Sequence, residues 1–74
     1  MTMEWKYNPK DYVDYLCDSM TSFQDAYLKK SHILMTISFD SLYFNTKQAV
    51  KEHVLSSKDR DDILDYYGGL IPDA

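Results

Sequence analysis

The apolar positions change period twice along the chain. Val13, Leu16, Met20, Phe23 and Tyr27 recur at steps of three and four, which at about 100° per residue places them on one stripe of a helix. Asn8 is a good N-cap and Pro9 suits a first helical position. Asp11 complements the positive end of the helix dipole, and Lys29 and Lys30 the negative end. A long helix is therefore predicted over residues 9–30. Over residues 32–39 the period shortens, because Ile33, Met35, Ile37 and Phe39 alternate with a partly polar set, as in a strand. Asp40-Ser41 is a weak turn that leads to a second short strand over residues 42–44. A helical reading of residues 32–44 stays open. Asn45 or Thr46 then caps a helix to about residue 55, with Ala49, Val50, His53 and Val54 as its apolar edge. Ser56 with Asp59 three residues on forms a variant of the capping box. It opens a last helix over residues 58–67, stopped by Gly68-Gly69. The architecture expected is a small single α+β domain over residues 1–74: a long N-terminal helix, a short β-hairpin and two short helices. An all-α fold is the alternative.

Composition narrows the function classes. The 74 residues carry a net charge of -4, with 8 Lys+Arg against 12 Asp+Glu. Direct nucleic-acid binding needs a basic face that displaces counterions from phosphates, and no more than two basic residues are adjacent here, at Lys29 and Lys30. The same deficit disfavours an anionic membrane surface, and no apolar run approaches the ~20 residues that span a bilayer. Residues 1–10 lack the pattern of a signal peptide. With a single cysteine, Cys17, no internal disulfide can form, and a cytoplasmic location is expected.

Two acidic clusters are the main candidates for function. Asp11, Asp14, Asp18 and Asp25 span about 60° of arc on a continuous helix, opposite its apolar stripe. No Lys or Arg lies between Lys10 and Lys29, although opposite charges one turn apart would help the helix. Asp59, Asp61, Asp62 and Asp65 form the second cluster, diluted only by Lys58 and Arg60. Ten of the twelve acidic residues are Asp rather than Glu. Asp is the poorer helix former, so helix stability does not account for the bias. Its short stem holds the charge near the backbone, which suits imitation of fixed phosphates. The plain alternative is a solvated face that confers solubility. Tyr12 and Tyr15 flank the first cluster, and Tyr66 and Tyr67 follow the second. Tyrosine is enriched at interfaces, whereas Tyr27 and Tyr43 are expected to close the core.

Catalysis and metal binding find no support in these patterns. The only histidines, His32 and His53, have no metal-ligand spacing with Cys17. Asp59-x-Asp61 begins like a calcium loop, but Leu64 and Leu70 stand where that loop needs Gly and Glu. There is no phosphate-binding glycine loop and no nucleophile elbow. No enzyme activity, cofactor or metal is expected.

In size and in its Asp- and Tyr-rich helical character, the whole chain resembles the small acidic proteins with which bacteriophages disable host machinery, many of which imitate DNA. Within that group it is most similar to phage inhibitors of the bacterial DNA sliding clamp, the β subunit of DNA polymerase III. The resemblance implies a homodimer that sits in the positively charged channel of the ring-shaped clamp and keeps DNA out. Asp11, Asp14, Asp18, Asp25 and the cluster Asp59, Asp61, Asp62 and Asp65 would face clamp Lys and Arg. Clamp partners dock through a Gln-Leu-(Ser/Asp)-Leu-Phe peptide, of which Asp40-Ser41-Leu42-Tyr43-Phe44 is a partial echo. A channel-filling inhibitor does not need it. The stripe of Met20, Phe23 and Tyr27 is the expected dimer face. Other targets for such a mimic are RNA polymerase, a nucleoid protein or a nuclease. A plain interaction adaptor is the alternative without mimicry.

Overall fold

Asn8 and Pro9 do open a helical turn, but a short one. In the computed structural model, which describes residues 4–72, the Asn8 Oδ1 accepts from the Lys10 amide at 3.1 Å and a single 3-10 turn covers Pro9–Asp11. The backbone straightens at Tyr12 and Val13 before α1, Asp14–Leu28, begins. The continuous helix expected over residues 9–30 is thus interrupted. Tyr12 packs edge-on against Tyr7, with ring centroids 6.4 Å apart, while Val13 starts α1 without a side-chain cap. Aromatic packing stands here where continuous helix was expected.

The expected β-hairpin and the α+β class are overturned. Residues 32–44 belong to one helix, α2, His32–Lys51, which also absorbs most of the helix expected over residues 46–55. The described residues contain no strand, and the all-α alternative holds. Ser31 caps α2, its Oγ accepting from the Leu34 amide at 3.2 Å. The strand-like alternation arises because α2 is apolar on two sides. Met35, Leu42 and Ala49 face the core, while Ile33, Ile37 and Phe44 are exposed. Two helical stripes overlaid in sequence imitate a period of two.

The last helix, α3, Ser57–Leu70, starts where the capping pattern places it, with Ser56 Oγ accepting from the Asp59 amide at 3.0 Å. It does not stop at Gly68-Gly69, and neither glycine has positive φ. Gly68 lies under the Phe39 ring, where an added Cβ would stand 3.3 Å from Phe39 Cε1. Its use is close approach of α3 to α2. The helix ends before Pro72, which forces Ile71 into an extended conformation (φ -76°, ψ 120°).

The helices run antiparallel in sequence order. Both connections are Schellman turns with a left-handed residue that is not glycine. Lys30 has φ 56°, with bonds from the amides of Lys30 and Ser31 to the carbonyls of Tyr27 and Ala26. His53 has φ 61°, with bonds from His53 and Val54 to Val50 and Ala49. The α1–α2 contact carries a polar seam of small residues. Ser19 Oγ lies 3.2 Å from Ser41 Oγ, and Asn45 Nδ2 donates to Ser19 Oγ and to the Tyr15 carbonyl. On the other side, residues 4–12 form a strap along α1 and α3. Trp5 meets Tyr27 and Tyr67, Tyr7 meets Tyr66 and Tyr67, and Phe23 meets Tyr67. Tyr67 is fully buried, and its hydroxyl accepts from Gln24 at 3.1 Å.

Candidate functional site

The fold divides the first acidic cluster. Asp14, Asp18 and Asp25 share one face of α1, within about 40° of arc, and all three are exposed. Asp11 lies outside the helix, on the 3-10 turn. Asp25 is paired with Lys29 at 3.0 Å, the one salt bridge among the described residues. The second cluster is divided as well. Asp59, Asp61, Asp62 and Asp65 are all exposed on α3, but only Asp61, Asp62 and Asp65 lie together, within about 100° of arc and away from buried Ile63 and Tyr67, whereas Asp59 sits in the first turn about 40° from Ile63. Lys58 shares the face of Asp61, Asp62 and Asp65, one turn before the first two and exposed like them, without a salt bridge among the described residues. Arg60 lies on the side of Ile63 and Tyr67 and is turned away from the aspartates. Its guanidinium lies 4.6 Å from the Tyr43 ring centroid, and its Nε and Nη2 donate to Thr46 Oγ1 and the Tyr43 carbonyl. The arginine thus ties α3 to α2 and leaves the outward aspartates without its charge.

Tyr12 lies near one carboxylate of each group, Asp11 on the 3-10 turn and Asp59 at the start of α3. Burial raises the Tyr12 pKa, and the neighbouring Tyr7, Asp59 and Asp11 raise it further. The side chain therefore stays a neutral phenol between carboxylates of the 3-10 turn and of α3. Tyr15, the remaining candidate, is half-buried and committed inside the molecule. Its hydroxyl donates to Glu52 Oε1 at 2.6 Å, and Gln48 donates to Oε2 at 2.9 Å. The bond to Glu52 raises the Tyr15 pKa, and the bonds from Tyr15 and Gln48 lower that of Glu52. Tyr66 and Tyr67 pack in the aromatic groove beneath the strap rather than on a docking surface.

The expected dimer stripe is not available. Met20 and Phe23 are fully buried, and Tyr27 packs against the core. An apolar stripe is available instead on the outer side of α2, in the segment expected to form strands. Ile33 is 71% exposed, Ile37 59% and Phe44 66%, with Leu34 beside them at 45%. The first three fall within about 40° of arc on α2. Their spacing of four and seven residues was the signal for this face. Tyr43, expected in the core, is exposed and covered on one side by Arg60. The segment Asp40-Ser41-Leu42-Tyr43-Phe44 lies mid-helix with Leu42 fully buried, so it does not offer an extended docking peptide.

Among the described residues no group of three or more His, Cys, Asp or Glu side chains is placed to hold a metal ion, and no helix is long and apolar enough to cross a membrane. Compared with known proteins, the chain matches no family model, no curated protein and no solved structure. A reading of function therefore rests on the surfaces themselves.

Proposed function

We propose that the protein is a phage-type inhibitor that acts in the cytoplasm of a bacterial host by imitating DNA, with the channel of the DNA sliding clamp as its target. The observation that carries this reading is the outward charge of α1 and α3. Asp14, Asp18, Asp61, Asp62 and Asp65 are exposed and have no salt bridge among the described residues, and Arg60 is engaged elsewhere. The longest dimension, 33 Å, is close to one turn of duplex DNA at about 34 Å. The inhibitor works by occupancy and needs no cofactor. It pairs with a second copy through Ile33, Ile37 and Phe44 of α2. That face interleaves Asp40 with Lys47 and Lys51, whereas like charges would oppose self-association through α1 or α3. A two-fold axis there leaves every acidic face pointing outward and doubles the anionic surface.

The test is competition with DNA for the purified clamp, using two variant sets: Asp14→Asn with Asp18→Asn, and Asp61→Asn with Asp62→Asn and Asp65→Asn. Combined, they should weaken competition at least roughly tenfold, and wild-type binding should fade towards about 0.5 M salt, where the Debye length is roughly 4 Å. A folded combined variant that competes at full strength ends the proposal. Binding to a basic DNA-binding host protein other than the clamp would keep the mimicry and change the target. The exposed α2 face favours one second reading, an adaptor that grips an apolar partner. That binding would survive high salt and would be lost in Phe44→Asp.

A further inference from the structure

At the end of the bundle where α1 hands over to α2 and α3 terminates, the surface opens into a cavity of about 310 Å³ lined by Tyr27, Lys30, His32, Met35, Leu70 and Pro72. That volume is at the lower end of the range for small-molecule sites, about 300–1,000 Å³. The lining separates into two chemistries. Met35 is buried, with Tyr27 and Leu70 half-buried beside it, and together with Pro72 they supply apolar walls. Lys30 and His32 are exposed and stand at the rim as nitrogen donors. The amino end of α2 opens beside them, and its Ser31 cap satisfies the Leu34 amide. The earlier amides of that turn have no intrahelical partner, and the helix dipole adds positive potential. Elsewhere the outward faces of α1 and α3 carry carboxylates.

We infer that this cavity binds a small amphipathic anion: an apolar body seated on Met35, Leu70 and Tyr27, with a carboxylate or similar head held by Lys30 and His32. A neutral apolar molecule would fill the walls and leave the rim unused. An inorganic anion would meet the rim with nothing to seat it. The site is separate from the acidic faces and from the α2 stripe.

Decanoate is a suitable probe, followed by methyl and amide NMR of the full chain. Saturable shifts are expected at the Met35 and Leu70 methyls and the Lys30 amide, with no matching shifts at Ile37. Decanol should bind roughly fivefold more weakly, and Lys30→Gln should reduce decanoate affinity by a similar factor, as loss of one exposed ion pair does. Lys30 is exposed, so the variant retains the core. Absence of saturable shifts up to about 1 mM, a concentration limit that marks affinities near the weak end of specific binding, overturns the inference. So do shifts centred on Ile33, Ile37 and Phe44, or equal affinities for decanoate, decanol and the Lys30→Gln variant.

Discussion

Two apolar surfaces of this bundle meet different fates. The groove between α1 and α3 is filled by the chain's own aromatic strap, with Trp5 and Tyr7 seated on Tyr27, Tyr66 and Tyr67. The outer face of α2 also carries apolar residues, interleaved with Asp40, Lys47 and Lys51, and Ile33, Ile37 and Phe44 remain mostly exposed. A chain of this length buries only ~60% of the surface its unfolded form exposes, and one strap covers one groove. The difference separates residues that hold the single chain together from residues that are available to a second one.

The sharpest way to break that comparison is to truncate one aromatic on each side. Tyr67→Ala should destabilise the fold by about 3–5 kcal/mol in urea unfolding followed by circular dichroism. Phe44→Ala should change single-chain stability by less than about 0.5 kcal/mol. Equal losses would show that α2's outer face is part of the core energetics after all. Next in size is the effect on assembly. Ile37→Asp or Phe44→Asp should keep the helical spectrum and halve the mass seen by sedimentation equilibrium. A wild-type chain that sediments as a monomer at assay concentration removes the proposed pairing.

How far the sequence specified this molecule depends on which helix is considered. The starts of the 3-10 turn and of α3 were legible, because Asn8-Pro9 and Ser56 with Asp59 are local signals that the backbone uses as read. The identity of α2 was not, because Ile33 and Ile37 face away from Met35 and Leu42, and a helix apolar on two sides loses its 3.6-residue signature. The glycine pair misled for a tertiary reason: Gly68 is needed for the Phe39 ring rather than for a left-handed cap. At the acidic surfaces, the helical spacing of Asp14, Asp18 and Asp25 was visible. The partners of Arg60, Tyr43 and Thr46, were not, because they lie one helix away. The break at Tyr12 and Val13, which detaches Asp11 from α1, likewise depends on an aromatic partner distant from any capping motif.

Smaller effects sharpen the contrast at the turns and in the groove. Lys30→Gly and His53→Gly should each raise stability by about 0.5–1 kcal/mol, since a left-handed position disfavours a side chain. The same urea titration reads both. Alkaline pH should act on the groove and spare the α2 face. Burial holds the Tyr67 pKa above its ordinary value, with Tyr66, Tyr12 and Tyr7 adding to the rise and the Gln24 bond opposing it. A raised folded pKa contributes stability that is complete below about pH 10, the unfolded value. It is lost as pH climbs through the folded value, so melting temperature should fall above pH 10 in the wild type. Tyr67→Phe should blunt that fall. An unchanged alkaline limb in the variant would assign the loss to other groups.

Trp5 is the chain's single tryptophan, and it sits in the strap with its ring centroid 5.5 Å from Tyr27 and 6.5 Å from Tyr67. Its emission is therefore an intrinsic optical gauge of whether the N-terminal segment is seated, while ellipticity at 222 nm follows the backbone helices. Detachment of the segment ahead of helix melting would register as a red shift at constant ellipticity, without any label being attached.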